Sequence, residues 1–272
     1  MMLVSIGDQI EEGIYPFHSR FHRAVNFRQT DRLVSVVNEE IGDGPLNIVV
    51  NCLPAGQTRD PLEISDGTVV FEGHEYRFTQ EQRYCSTLGH GIAGAPCFRH
   101  NLSVFGELLR TTSPPKSLSF LLNDQRTQSF GSGFEQMFAD RVKRSVSQIF
   151  FGDRLKGVRT LSGCGLGLTP SGDDFIAGLL IGLSVRGTGF RGLAEEVYAA
   201  ARTDNIFSNT FLDLARRGLL FGRMKDLITA LGCDSEDAVR CAAERLFAVG
   251  GSSGADLGTG FFMTLWNGLG AA

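Results

Sequence analysis

The run Gly163-Cys164-Gly165-Leu166-Gly167-Leu168-Thr169-Pro170-Ser171-Gly172-Asp173-Asp174-Phe175-Ile176-Ala177-Gly178 sets glycines, hydroxyls and two adjacent acids at the entrance of an apolar segment. Pro170 pushes Thr169 toward extended backbone, and Ser171 with Asp174 three residues on reads as a capping box that starts a helix near Gly172. Such a start presents unpaired backbone N–H groups and the positive end of the helix dipole, and a glycine loop lets a small ligand approach them. The same arrangement returns at Gly250-Gly251-Ser252-Ser253-Gly254-Ala255-Asp256-Leu257-Gly258-Thr259-Gly260. Ser171, Gly172, Asp174 and Gly178 recur as Ser253, Gly254, Asp256 and Gly260, all at an offset of 82 residues. An internal repeat of this kind predicts two helix entrances that line one cavity.

The residue types limit the ligand. A phosphate would be drawn to helix N–H groups but repelled by Asp173 and Asp174 unless Mg²⁺ or an arginine intervened. A neutral carbamoyl or ureido group fits without a metal, its oxygen accepting from N–H groups and its NH2 donating to a carboxylate. A purely structural reading accounts for some of the same features: capping boxes begin many ordinary helices, and Gly178 and Gly260 permit close helix packing. The second acid and the loop glycines of the first motif tip it toward function; the second motif alone would read as structure.

The elements that position these motifs follow from periodicity. Residues 1 to about 125 read as strand-rich, with runs at Leu33 to Val37, Asn47 to Cys52, Thr68 to Phe71 and Tyr76 to Phe78, and with a hairpin over Val69 to Phe78. The stretch around residues 18 to 30 fits strand or helix equally. After Gly133, Phe134, Met137, Phe138, Val142, Val146, Ile149 and Phe150 share one helical face. Helices are expected at about 172–185, 192–202, 205–217, 222–231, 235–248 and 254–267, with Asp234 and Asp237 as an N-cap pair and with Gly218, Gly232 and Gly250 as stops. The expected fold class is α+β: a β-rich N-terminal domain over 1–127, then a predominantly α-helical C-terminal domain over 128–272 that carries both glycine-rich helix starts.

Composition narrows the function classes. A net charge of −4 without long runs of like charge argues against a nucleic-acid partner, and the acidic start MMLVSIGDQIEEG resembles no secretory signal. The apolar stretches are too short and too broken by glycine for a membrane span, so a cytoplasmic location is expected. Six scattered cysteines without a CxxC pair read as reduced structural thiols. Glycine, at 34 of 272 residues, is far above the usual ~7% and clusters after position 150.

Competing motifs lack their context. GCGLG follows a candidate strand at Val158 to Leu161, but Pro170 stands where a third spaced glycine of a dinucleotide loop would fall. Neither GxxxxGK[ST] nor HExxH occurs, and Cys85, His90, Cys97 and His100 match no common zinc spacing. Arg20, Arg23 and Arg28 beside His18 and His22 form a basic segment that is either a solvated face or a clamp for a carboxylate or phosphate. Asn205, Ser208 and Asn209 add polar groups to a helix that otherwise buries Ile206, Phe207, Phe211 and Leu212.

The strings GLGLTPSGDDFIAG (165–178), GGSSGADLGTG (250–260), TDNIFSNTFLDLARRG (203–218), FHSRFHRAVNF (17–27) and GPLNIVV (44–50) together resemble a bacterial family of formerly unknown function. That family includes a subunit of oxamate carbamoyltransferase from anaerobic allantoin degradation. The resemblance implies conversion of oxalurate and phosphate to oxamate and carbamoyl phosphate, in a complex with two other kinds of subunit. A non-catalytic metabolite-binding or scaffold subunit of such a complex is the alternative. Under the enzyme reading, Asp173 and Asp174 are the candidate catalytic residues, and Gly165, Gly167, Thr169, Ser171, Gly172, Ser253, Gly254, Asp256 and Asn209 the candidate substrate-binding residues. The motifs demand no metal, although Mg²⁺ is the ion that would reconcile phosphate with the acids.

Overall fold

A computed structural model describes residues 1–54, 56, 59–89 and 91–269, which divide into two compact units, Met1–Leu88 with Leu219–Lys225, and Gly89–Gly218 with Asp226–Ala272.

The first unit contains strands β1 (Leu3–Gly7), β2 (Gly13–Tyr15), β3 (Phe17–Arg20), β4 (Ala24–Gln29), β5 (Arg32–Asn38), β6 (Asn47–Val50), β7 (Leu62–Ser65), β8 (Thr68–Phe71), β9 (His74–Arg77) and β10 (Arg83–Tyr84). They form a six-stranded sheet in the order β10-β1-β6-β5-β4-β3 and a four-stranded sheet in the order β2-β7-β8-β9. The expected hairpin is present: β8 pairs antiparallel with β9, and Phe71 faces His74 across a two-residue turn. Glu72 and Gly73 in that turn both have positive φ, as does the Asp66-Gly67 pair between β7 and β8. Both turns have the backbone hand that suits the twist of paired strands. Alternation buries Leu62, Ile64, Val69 and Phe71, and Phe27 packs edge-to-face on Phe71 at 5.9 Å, joining the sheets. The ambiguous stretch at 18–30 is strand, in β3 and β4. The segment Leu219–Lys225 is held by Leu220 N–H donating to the Ser86 carbonyl and Gly222 N–H to that of Asp43.

The remaining elements are α1 (Phe98–Thr111), α2 (Gly133–Phe151), α3 (Arg154–Leu161), α4 (Ser171–Arg186), α5 (Arg191–Ala201), α6 (Ile206–Arg216), α7 (Gly222–Leu231), α8 (Glu236–Phe247) and α9 (Ser253–Asn267). The architecture is α+β, with sheets in the N-terminal part and mostly helices after it. Helix begins earlier than periodicity indicated, because α1 lies within the stretch read as strand-rich. It buries Phe98, Leu102, Phe105, Leu108 and Leu109 on one helical face. Val158 to Leu161 belongs to a helix, α3, whose N-cap Asp153 accepts from Lys156 N–H. The N-cap of α8 is Ser235, accepting from Ala238 N–H, and not Asp234.

The second unit is built around α4 and α9. Every residue of α4 from Gly172 to Leu183 is buried, and so is every residue of α9 from Gly254 to Thr264. Helices that are apolar all round belong at a core centre, and these two pack directly on each other. Among the described residues, no helix is long and apolar enough to cross a membrane.

Candidate functional site

The two glycine-rich helix starts meet, and they do so with approximate two-fold symmetry. A methyl group added at Gly178 would fall on the carbonyl oxygen of Leu257, and one added at Gly260 on that of Phe175, the equivalent residue of the other helix. Farther in, Gly182 faces the side chain of Thr264. The loops that lead into the helices repeat as well. Gly172 N–H donates to the Cys164 carbonyl at 2.8 Å, and Gly254 N–H to that of Val249 at 3.1 Å. Both glycines press against a carbonyl in the last turn of the preceding helix, Leu161 for Gly172 and Leu246 for Gly254.

This geometry corrects two expectations. Ser171 does not cap its own helix: α4 starts at Ser171, its N-cap is Pro170, and no side chain caps it. The Ser171 hydroxyl acts instead on Asp256 of the other helix, and the Ser253 hydroxyl on Asp174. The serine–aspartate spacing that resembles a capping box is thus used crosswise. Nor are the helix N–H groups all open to a ligand. Gly172 N–H is taken by Cys164, and the N–H groups of Asp173 and Asp174 both reach the Pro170 carbonyl, at 2.8 and 3.1 Å. The carboxyls, more than a free amide cradle, define the site.

The three aspartates differ in their surroundings. Asp173 is fully committed: Oδ1 accepts from Gly163 N–H at 2.7 Å and from the Ser162 hydroxyl at 3.3 Å, and Oδ2 from the Ser208 hydroxyl at 2.6 Å. It ties the glycine loop and α6 to the start of α4. Asp256 is 0% exposed and likewise partnered, with Leu118 N–H on Oδ1 at 2.6 Å and the Ser252 hydroxyl on Oδ2 at 2.9 Å. Burial pushes its carboxyl up from 3.8 to about 7, against the lowering effect of Leu118 N–H and the Ser171 and Ser252 hydroxyls. Asp174 is 3% exposed, with Ser253 and Thr169 hydroxyls beside it, yet its Oδ2 is buried without a hydrogen-bond partner. Burial raises it well above the ordinary carboxylate range, and the neighbouring Asp256 and Asp173 raise it further. A buried acceptor left unmade costs on the order of 1–3 kcal/mol, so an oxygen in this state is one that a ligand would satisfy.

The hydroxyl-bearing residues Thr169, Ser171, Ser252 and Ser253 are half-exposed above the buried carboxyls. Gly165 sits in left-handed backbone (φ 121°), where a Cβ would come 2.6 Å from Ser171 N, and exposed Gly167 has φ 106°. Asn209 is not brought to the carboxyls: its side chain is spent on Thr203, accepting from N–H at 3.1 Å and donating to the carbonyl at 2.6 Å. Asn205 caps α6 and donates to the Leu168 carbonyl at 2.7 Å, pinning the loop, while Ser208 reaches the site through Asp173. Leu118 and Ser252 are site residues that sequence reasoning missed; a backbone N–H from a distant 3₁₀ turn leaves no signature in residue types. In the first unit, Arg20 and Arg23 pair with Glu72 and Glu40, and Arg28 donates to the Thr30 carbonyl. His90 of the weighed zinc set lies outside the described residues. Among those described, no three His, Cys, Asp or Glu side chains are grouped to hold a metal.

The crossed bonding carries a direct test. Ser171→Ala is expected to cost about 1 kcal/mol, the usual worth of one such bond. A double-mutant cycle should find it coupled to Asp256→Asn by about 0.5 kcal/mol or more and nearly additive with Asp174→Asn. Denaturant unfolding measures both, and coupling to Asp174 alone would restore the local cap.

Fold and site thus define an α+β protein whose helical unit centres on a pseudo-symmetric pair of glycine-rich helix starts with buried carboxyls. Residues 161–265, which hold both starts, match the model of a family described as oxamate carbamoyltransferase subunit AllH. No curated protein and no solved structure matches the chain.

Proposed function

We propose that this chain is a subunit of a carbamoyltransferase complex that converts oxalurate and phosphate to oxamate and carbamoyl phosphate in anaerobic purine-nitrogen use, and that its paired helix starts hold the carbamoyl end of the substrate. The observation that carries the reading is the unpartnered, buried Oδ2 of Asp174 beside the half-exposed hydroxyls of Thr169 and Ser253. A carboxyl that burial pushes toward its neutral form can pair with a neutral carbamoyl group at less charge penalty than a phosphate would meet there. The family description of residues 161–265 as part of an oxamate carbamoyltransferase subunit supports the same chemistry and implies further chains. Asp174 is then the residue that contacts the carbamoyl group. Asp173 and Asp256, whose oxygens are already bonded, position it.

Oxalurate is expected to raise the unfolding temperature of the protein, since a ligand at about 100 times its Kd stabilises by about 2.7 kcal/mol. Asp174→Asn should weaken oxalurate binding at least ~10-fold, the loss of about 1.4 kcal/mol of contact. Equal affinity in the variant and the wild type, measured by calorimetry, would sink this reading. Retained turnover with weakened assembly would favour the scaffold alternative.

A further inference from the structure

The carboxyl oxygen that carries the carbamoyl reading is shut in. Asp174 is 3% exposed, its Oδ2 is buried without a partner, and Thr169 and Ser253, whose hydroxyls act on it, are half-exposed. For a ligand to touch Oδ2, a cover has to move. Ser253 is the first residue of α9, which is buried from Gly254 to Thr264 and holds it in place. Thr169 instead ends the glycine loop between α3 and α4.

The two halves of that loop are held unequally. The inner half is tied down, because Gly163 N–H donates to Asp173 at 2.7 Å and the Cys164 carbonyl accepts from Gly172 N–H at 2.8 Å. The outer half, Gly165 to Thr169, projects into solvent, with Leu166 87% and Leu168 48% exposed. Apart from the Thr169 hydroxyl, one hydrogen bond joins this half to another element among the described residues: Asn205 Nδ2 donates to the Leu168 carbonyl at 2.7 Å. Gly165 and Gly167, at φ 121° and 106°, let its backbone turn without a Cβ to obstruct it. An exposed segment with so few bonds is the kind that opens locally while its surroundings stay folded. Asn205 itself is firmly placed. Its Oδ1 accepts from Phe207 and Ser208 N–H at 3.0 and 3.2 Å, capping α6, and the Ser208 hydroxyl donates to Asp173 at 2.6 Å. One amide thus grips a fixed helix with its oxygen and the loop with its nitrogen.

We propose that Gly165–Thr169 is a lid over Asp174 and Asn205 its latch, so that release of the Leu168 carbonyl lifts Thr169 and admits the ligand. The identity of that ligand rests on the carbamoyl reading; the lid itself does not. Asn205 acts through Thr169, as a positioning residue. Loss of one ordinary hydrogen bond raises the open fraction about 5-fold.

Asn205→Asp and Asn205→Ser separate the latch from the cap. Both keep an oxygen for the Phe207 and Ser208 N–H groups, and both remove the N–H that reaches Leu168. Each variant of the full chain is expected to keep the wild-type unfolding midpoint. Chymotrypsin should cut after Leu166 or Leu168 about 5-fold faster than in the wild type, since cleavage follows the open fraction when reclosing is fast. Oxalurate should associate faster by the same factor in stopped flow. Faster cleavage in the loop, with no oxalurate binding to any form, would overturn the carbamoyl reading and leave the lid standing. Unchanged cleavage at both leucines in both variants would overturn the lid. So would cleavage that rises equally outside the loop, the mark of general unfolding, or oxalurate that binds without associating faster.

Discussion

Gly178→Ala is expected to destabilise the helical unit by about 3 kcal/mol or more, despite alanine's better helix propensity. In an open helix the exchange would gain up to about 1 kcal/mol. Here the new methyl would collide with the Leu257 carbonyl oxygen and lie 2.8 Å from Phe261 N, both backbone atoms of a helix that is itself buried on all sides. Overpacking of a filled core costs about 1–3 kcal/mol where side chains can yield, and more where they cannot. Gly260→Ala should behave alike, because its methyl meets Phe175 backbone at the symmetry-related place. Gly192→Ala in α5 meets nothing within 4 Å and should be neutral or slightly stabilising. Urea denaturation of the three variants measures the contrast, and an unchanged midpoint for Gly178→Ala would show that the helices do not cross this closely.

Asp256 should make the protein more stable in mild acid than at neutral pH, the reverse of ordinary carboxylates. Its folded pKa of about 7 lies above the unfolded value near 3.8. Between those limits the native state holds a proton that the unfolded chain releases. Stability from this group is therefore complete below about pH 4 and lost progressively as pH rises to 7. At about 1.36 kcal/mol per unit, the span amounts to ~4 kcal/mol. Asp174, also raised, acts in the same direction. Asn at 256 keeps an acceptor for Leu118 N–H and cannot ionise, so the stability difference, wild type minus Asp256→Asn, should fall steadily from pH 4 to 7. Denaturant titrations at several pH values give this difference directly. Parallel pH curves, or a wild type that gains on the variant as pH rises, would contradict it.

Much of the local structure was legible because it depends on neighbours in the chain. The β8–β9 hairpin followed from alternation around a Glu-Gly turn, and the helices after Gly133 from their period and their stops. Where two elements compete on similar patterns, the sequence misleads: α1 falls in a stretch whose pattern is strand-rich, and the short α3 resembles a strand in its last four residues. The aspartates and the 82-residue repeat were visible as residue types. Which oxygen of which aspartate is satisfied was not, since Leu118, Ser208 and Ser162 approach from elements distant in the chain or from a loop whose path the residue types leave open.

What the sequence determined by itself is the duplication: a serine, an acid three residues later and a glycine four beyond that, twice, at entrances of apolar helices. What only the tertiary structure decided is the pairing. Spacing of Ser171 and Asp174 suits a bond within one turn, and nothing local tells that bond from one made across a helix crossing. The crossing exists because Gly178 and Gly260 remove the atoms that would hold the backbones apart, which brings each serine to the other helix's aspartate. Two-fold symmetry would have treated the carboxyls alike. The Leu118 turn reaches only Asp256, and Ser252, whose hydroxyl meets the other Asp256 oxygen, has Pro170 as its counterpart, so of the two carboxyls Asp174 keeps an oxygen unsatisfied.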